Sequence, residues 1–341
     1  MLNLKISIMK AYIEAISYYL PEMILDNKTI SEEHPEWEAD KISQKTGIYQ
    51  RHIAATDECA GDMAEKAGLQ LLAEYSINAS EIDFLLYCTQ SPDYFLPTTA
   101  CVLQTKLGLP TTCGALDFNL GCSGYVYGLA VAKGLIAAGI AKRILFITSE
   151  TYTKYINAKD KSNKTIFGDA ATATIISNEK GLYEIDEFSL GTDGNGAGNL
   201  IVKNNAMRFR SEKAEDVYDE NGDYVKNDNN LYMNGSAIFS FTSSAVPQLV
   251  KTVLEKNKLQ NDDIDYFLFH QANRFMLDFI RKKMGIPQDK FIYCLEKTGN
   301  TVSNTIPIAL KEECLHKKTG KILLAGFGVG YSWGGCILHS V

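Results

Sequence analysis

Asp117-Phe-Asn-Leu-Gly-Cys-Ser-Gly-Tyr-Val-Tyr-Gly128 is the stretch on which the reading of this chain turns. The apolar run over residues 114–120 predicts a short buried strand, and the small-residue run over 125–139 predicts a helix, so Cys122 falls at a strand-to-helix turn. Gly121 and Gly124 leave room around its sulfur. A helix N-terminus offers unpaired N–H groups and the positive end of the helix dipole, and both favour thiolate, the nucleophilic form, over thiol. Most cysteines are buried structural thiols, but glycines and a serine around a thiol fill a core poorly. The local sequence therefore weighs for a reactive cysteine.

Outward from that turn the pattern alternates strand and helix, which is the signature of an α/β fold. Strands are predicted over 11–19, 84–89, 142–149 and 165–177, with helices over 59–75, capped by Thr56 and Asp57, and over 98–107. A second half repeats the logic with strands over 183–190, 265–269, 321–325 and 333–339 and helices over 236–256, 274–284 and 301–315. Phe167-Gly-Asp-Ala-Ala-Thr-Ala-Thr-Ile-Ile176 echoes Phe327-Gly-Val-Gly-Tyr-Ser-Trp-Gly-Gly-Cys-Ile-Leu338. We read this as an internal duplication, residues 1–178 carrying the cysteine and 179–341 the partner groups, with no long linker between them. Residues 203–230 stand apart as a polar stretch without apolar period, read as a solvated surface excursion, with a lid or partner contact as the other possibility.

At 341 residues the chain has ample length for a large core, and 45% hydrophobic with 22% charged residues is ordinary for a globular protein. A net charge of −7 weighs against nucleic acid as a partner. Eight cysteines show no CxxC pair or framework spacing, and several sit in apolar runs, which fits reduced thiols and a cytoplasmic location. No metal-ligand spacing appears. Residues 1–20 are broken by Lys5, Lys10 and Glu14, so no signal peptide is expected, and no later run is long and apolar enough for a membrane span.

Three further segments offer groups that can work with Cys122. Phe269-His-Gln-Ala-Asn273 puts His270 at the C-terminal end of a short strand, where open α/β sheets place ligand sites, although a lone histidine is more often a satisfied core or surface group. Thr298-Gly-Asn-Thr-Val-Ser-Asn-Thr-Ile-Pro-Ile308 presents Asn300 as an amide donor for a developing oxyanion or, more plainly, as a turn asparagine. The turn Gly326-Phe-Gly-Val-Gly330 adds backbone N–H groups as a second oxyanion donor. It opens no helix, so a dinucleotide reading fails.

Taken together these pieces resemble the β-ketoacyl-acyl-carrier-protein synthase III family of the thiolase superfamily. The matching segments, in family order, are KTGIYQRHIAA, LDFNLGCSGYVYGL, IFGDAATATII, FHQAN, KTGNTVSNTIPIAL and AGFGVGYSWGG. Residues 1–8 lie outside the resemblance, with Met9 as an alternative start. The resemblance implies a thiolase-like five-layered αβαβα fold of two duplicated halves, working as a homodimer. It implies Cys122 as the acyl-accepting nucleophile, His270 and Asn300 as the pair promoting decarboxylation, and the backbone N–H groups of Cys122 and Val329 as the oxyanion hole. It implies no cofactor: acyl-CoA or acyl-ACP and malonyl-ACP, carried by acyl carrier protein, are substrates of a condensation that makes a 3-oxoacyl thioester for fatty acid biosynthesis. Non-decarboxylating thiolases carry a second cysteine in the last glycine turn, which here reads Gly328-Val-Gly330, and elongating synthases carry two histidines. Type III polyketide synthases share the Cys-His-Asn set, but the HQAN and GNT surroundings are closer to synthase III.

By the same resemblance Trp37 stacks on the adenine of coenzyme A, and Leu96 shapes the acyl pocket of the partner subunit. Lys45 and Lys161 stand where the family has arginines, and lysine neither stacks nor forks as arginine does. An acyl-carrier donor therefore becomes an alternative to coenzyme A. Phe275 occupies the usual carrier-docking arginine position, leaving Arg274, Arg281, Lys282 and Lys283 as a basic patch or simply a solvated helix face. The rival readings are a specialised acyltransferase or condensing enzyme of a secondary lipid, polyketide or surface-glycan pathway, a non-catalytic partner subunit, and a Cys-His-Asn hydrolase.

Overall fold

Period-two alternation along the strands sorts the core into layers, and those layers position the site. The computed structural model of the chain describes residues 9–210, 212–317 and 320–341. Residues 1–8, on which the alternative start at Met9 bears, lie outside the described residues.

Nine strands among the described residues form one sheet: β1 Tyr12–Tyr19, β2 Phe84–Cys88, β3 Gly114–Phe118, β4 Arg143–Glu150, β5 Ala170–Ser177, β6 Tyr183–Thr192, β7 Tyr266–Phe269, β8 Lys321–Gly328 and β9 Ser332–Ser340. Their order is β7-β8-β9-β6-β1-β5-β4-β2-β3. In the first half β2 runs parallel to β3 and β4, while β4–β5 and β5–β1 are antiparallel. In the second half β7 runs parallel to β8, while β8–β9 and β9–β6 are antiparallel. The two runs of strands meet where Tyr12 pairs Glu184 and Ile13 pairs Tyr183.

The helices that matter here are α1 Ala39–Thr46, α2 Ala60–Glu74, α3 Thr99–Lys106, α4 Gly124–Ala137, α5 Gly235–Asn257, α6 Arg274–Lys283 and α7 Thr305–Ala309. Leu85, Tyr87, Leu145 and Ile147 point to one face and pack with Met63, Ala67 and Leu71 of α2 and Leu103 of α3. Their neighbours Leu86, Cys88, Ile144 and Phe146 point to the other face, as strand geometry requires. There they pack with Val126, Leu129 and Ile136 of α4, Ile306 and Ala309 of α7, and Ile322 and Leu324 of β8. The opposite face of β8, Leu323, Ala325 and Phe327, packs on Leu249, Val250 and Val253 of α5 and Leu277 and Ile280 of α6. The result is the five-layered αβαβα arrangement, with α4 and α7 in the middle layer.

Four local expectations change. The run over 114–120 is not a buried strand. β3 closes one edge of the sheet, and its Leu116 is 45% exposed. The helix after Thr56 and Asp57 is capped instead by Cys59, whose N–H donates to the Asp62 carboxylate at 3.0 Å. The extended stretch over 165–177 is strand only from Ala170, and Phe167 instead bridges Asn300. The helix over 301–315 is α-helical only over Thr305–Ala309, after a 3₁₀ turn at Val302–Asn304, and widens to a π-turn over Leu310–Cys314.

The polar excursion is ordered at its base, where Leu200–Val202 pairs with Leu231–Met233. Beyond it Val217–Tyr218 and Tyr224–Lys226 form a small hairpin. This part is tied down by Lys159 Nζ on Asp216 at 2.7 Å and by Asn230 Nδ2 donating to the Tyr155 carbonyl at 3.1 Å.

Candidate active site

Cys122 lies between the edge strand β3 and α4, two residues before the helix begins, and is 7% exposed. The chain can bring other backbone this close only because glycines line it. A Cβ on Gly328 would lie 2.9 Å from both Cβ and Sγ of Cys122, and one on Gly124 would lie 2.5 Å from the Cys88 sulfur. The backbone N–H groups of Cys122 itself and of Val329 point at the sulfur and favour the thiolate. Burial acts against them and is stronger, with the nearby Glu150 adding to it, and the thiol is pushed up to about 12. Neither N–H belongs to the first turn of α4, Val329 lying in the turn after β8, and burial outweighs both, so the sulfur is held as a thiol.

His270 follows β7, its N–H donating to the Ala325 carbonyl of β8 at 2.8 Å. Its ring meets that of Phe327 edge-on at 5.8 Å, and the next residue along β8 is Gly328, against Cys122. The His270 ring is 2% exposed, and burial pushes it down to about 3, so the imidazole is neutral. Its Nδ1 lies 2.8 Å from Thr305 Oγ1.

Asn300 is held through its backbone: its N–H donates to the Ile166 carbonyl at 2.9 Å, and its carbonyl accepts from Gly168 N–H at 3.1 Å. Its Oδ1 accepts from Val302 N–H at 2.9 Å. That bond fixes which way the amide faces, so Nδ2 is left as the donor end. The structure links these groups in pairs, Cys122 and Val329 at the sulfur, and Asn300 and His270 through Val302 and Thr305.

Beside them opens a cavity of about 860 Å³ lined by Val329, Gln90, Tyr152, Tyr155, Leu200 and Leu231. Leu96 and, from the polar excursion, Asn204, Asn205 and Arg210 also line it. Leu96 is 83% exposed, and Tyr94 and Phe95 beside it are also exposed.

Sequence reasoning missed Glu150, fully buried at the end of β4. Its Oε1 accepts from Gln90 N–H at 2.9 Å and its Oε2 from Ser91 Oγ at 2.6 Å. A lone acid closing the apolar run Ile144-Leu-Phe-Ile-Thr-Ser-Glu150 was the available signal. Burial lifts this carboxyl from 4.5 to about 8. Between those values the folded chain binds a proton that the unfolded chain has released, so stability falls as pH rises through that window. Glu150→Gln, which keeps an acceptor for Gln90 and loses the charge, is expected to flatten that decline in urea midpoints measured from pH 5 to 8.5. Parallel pH slopes for the two proteins would contradict the assignment.

Several of the residues expected to contact substrate or carrier are engaged within the chain. Lys161 is ion-paired with Glu36, next to the half-buried Trp37, and lies 3.8 Å from Asp223 of the hairpin. Lys45 is exposed in the last turn of α1. On α6, Arg281 is turned inward, with Nε donating to Tyr293 Oη at 3.1 Å and Nη1 to the Ile286 carbonyl at 3.1 Å. Arg274 lies 3.8 Å over the Tyr293 ring. Lys283 Nζ donates to the Ser243 carbonyl at 2.8 Å, which leaves Lys282 on the surface beside Phe275 and Phe279, both packed on Phe239. No helix of the described residues is long and apolar enough to cross a membrane.

The five-layered fold, with Cys122, His270 and Asn300 buried inside it, is that of a thiolase-like protein. Comparison with known proteins narrows this. The descriptor "3-Oxoacyl-[acyl-carrier-protein (ACP)] synthase III" matches residues 116–194, and that of its C-terminal part matches residues 254–340. The chain is 35% identical to β-ketoacyl-[acyl-carrier-protein] synthase III 2 of Halalkalibacterium halodurans, over 98% of this chain and 97% of that protein. It superposes on a crystal structure of a 3-oxoacyl-(acyl-carrier-protein) synthase III with a TM-score of 0.93 and 46% identity, covering 97% of this chain and 99% of the other. A 3-oxoacyl-(acyl-carrier protein) synthase from Burkholderia xenovorans gives 0.87 and 37%, covering 97% and 94%. The chain belongs to the 3-oxoacyl-[acyl-carrier-protein] synthase III family.

Proposed function

We propose that this protein is a decarboxylating condensing enzyme that joins an acyl thioester starter to malonyl-ACP in fatty acid biosynthesis. One observation supports the reading above all: a buried thiol lies under two backbone N–H groups, while a buried neutral histidine is linked through Thr305 and Val302 to an asparagine whose amide oxygen is held and whose Nδ2 is left as donor. Cys122 sulfur attacks the acyl thioester carbonyl, the N–H groups of Cys122 and Val329 receive the oxyanion, and the carrier thiol leaves with the proton. Malonyl thioester then binds, and its C–C bond to the carboxylate breaks. Carbon dioxide departs while the electron pair passes to an enolate whose oxygen faces donors from His270 and Asn300. The enolate carbon attacks the acyl-cysteine, the 3-oxoacyl thioester forms and the cysteine sulfur is released. The carbanion comes from the substrate's own carboxylate, so the scheme uses no cofactor or metal.

The two halves divide this work, residues 1–178 carrying the acyl group and residues 179–341 the decarboxylating pair. The edge strand β3, with Leu116 exposed, and the exposed apolar run Tyr94, Phe95 and Leu96 support a homodimer. All eight cysteines are free, which fits the cytoplasm. Engagement of Lys161 by Glu36 and Asp223 leaves little free charge for a nucleotide, which favours an acyl-carrier donor over acyl-CoA; Trp37 and Lys45 remain available to either. Carrier docking falls to Lys282 with the Phe275–Phe279 face, since Arg274, Arg281 and Lys283 are engaged elsewhere. A second reading, the same chemistry in a specialised pathway, is favoured by the polar residues Asn204, Asn205 and Arg210 that line the cavity.

The test is a panel of straight, branched and polar acyl groups on coenzyme A and on carrier protein, offered with and without malonyl carrier protein and read by mass spectrometry. Acyl adducts on Cys122 that turn over only with malonyl thioester are expected. Absence of any adduct would overturn the reading.

A further inference from the structure

Among the described residues four non-glycine residues hold positive φ, and Val302, at 59°, is the only β-branched one. A β-branched side chain is poorly suited to the left-handed region, and such backbone outliers gather where a site over-determines them. Here the conformation sets both backbone groups of one buried residue to work. Val302 N–H holds Asn300 Oδ1 at 2.9 Å, and Val302 carbonyl accepts from the backbone N–H of Thr305. The same carbonyl lies 3.1 Å from Thr305 Oγ1, which in turn lies 2.8 Å from His270 Nδ1. Thr305 and Val302 are both buried, so no bulk water intervenes.

The Val302 carbonyl, which also faces the His270 ring, competes with the Thr305 hydroxyl for the ring proton. The hydroxyl itself has one proton and two acceptors within reach. Donated to the Val302 carbonyl, it obliges His270 to carry its single proton on Nδ1, and Nε2 is left as a bare lone pair. Donated to Nδ1, it places the imidazole proton on Nε2. A neutral ring has only one N–H, so this choice decides whether His270 offers a donor or an acceptor to the substrate. Decarboxylation moves an electron pair onto an oxygen and needs a donor there. The Val302 carbonyl already accepts the Thr305 backbone N–H, so the hydroxyl can turn away from it without leaving that carbonyl unpaired.

We propose that Thr305 is a positioning residue: its hydroxyl donates to His270 Nδ1 and fixes the Nε2–H tautomer, while the left-handed Val302 holds Thr305 and Asn300 in register. The proposal rests on the decarboxylating reading above and concerns the second half-reaction only. Two measurements test it. Nitrogen-15 NMR of histidine-labelled wild type at neutral pH, with His270→Ala for assignment, is expected to show the His270 proton on Nε2. Carbon dioxide release from malonyl thioester is then compared in wild type, Thr305→Ser and Thr305→Val, with acyl transfer to Cys122 as the control for a folded site. Thr305→Ser is expected to keep release within a few-fold, and Thr305→Val to lose about a hundredfold, with its His270 proton moved to Nδ1.

A wild-type Nδ1–H tautomer would overturn the proposal. So would wild-type release rates in Thr305→Val, or an equal loss in Thr305→Ser, which would mark the site as packing alone. Wild type that takes up acyl groups but releases no carbon dioxide would instead sink the decarboxylating reading, and the NMR result separates the two failures.

Discussion

Cys122→Ala is expected to abolish acyl adducts and to lower 3-oxoacyl formation by on the order of 10⁴-fold or more, the scale of loss when a covalent nucleophile is removed. The loss should be confined to the first half-reaction. The groups assigned to decarboxylation hang from other elements: His270 from β7, and Asn300 from the loop that Phe167 bridges. Carbon dioxide release from malonyl thioester should therefore persist in Cys122→Ala, and the enolate should be quenched to the acetyl thioester. The wild-type thiol carries its own signature. Because burial pushes it up to about 12, the thiolate fraction at neutral pH is small. Alkylation of Cys122 by iodoacetamide should then climb roughly tenfold per pH unit from 7. Above about 8 the climb should be shallower, since Glu150 ionises there and its charge opposes that of the sulfur. A pH-independent alkylation rate across 7–8, or an adduct surviving in Cys122→Ala, would refute the assignment.

The contrast between Cys122 and Glu150 marks how far the sequence alone reaches. Local pattern was enough for the strand-to-helix turn at Cys122, for the strand end before His270 and for the turn that carries Asn300, because glycine spacing and apolar period are short-range properties. It was enough for the five layers only by way of the family resemblance, since alternation along β2, β4 and β8 shows that both faces are buried but not against what. Burial itself was not legible. Residues 114–120 are apolar enough for a central strand, yet β3 closes an edge, a fact decided by the order of strands far apart in the chain.

The protonation balance at Cys122 turned on the same missing quantity. The turn that brings the Cys122 N–H to the sulfur is local, while the Val329 N–H and the desolvation that outweighs both come from packing. Lys161 and Arg281 look like free cations in sequence and are engaged through Glu36 and Tyr293, partners 125 and 12 residues distant. The link from Asn300 through Val302 and Thr305 to His270 spans a short stretch and a strand end, but it depends on a left-handed valine that no residue preference announces.

That link makes Asn300→Asp the sharpest substitution in the second half-reaction. The two side chains have nearly the same shape, and aspartate keeps an oxygen for Val302 N–H, so the turn should hold its geometry. What changes is the other end of the group. Nδ2, a donor, becomes a carboxylate oxygen, an acceptor carrying charge, facing an oxygen that becomes negative as carbon dioxide leaves. Removing one donor from such a site costs about 10²–10³ in rate. Replacing it by a like charge in a dry cleft adds repulsion, so a loss of at least about a thousandfold in carbon dioxide release is expected. Acyl transfer to Cys122 should stay near the wild-type rate, because its oxyanion is received by the N–H groups of Cys122 and Val329. Single-turnover acylation and carbon dioxide release, measured on the same preparation, read the two halves separately. Comparable losses in both would mean that Asn300 holds the cleft together rather than serving the enolate, and an unchanged release rate would take it out of the reaction.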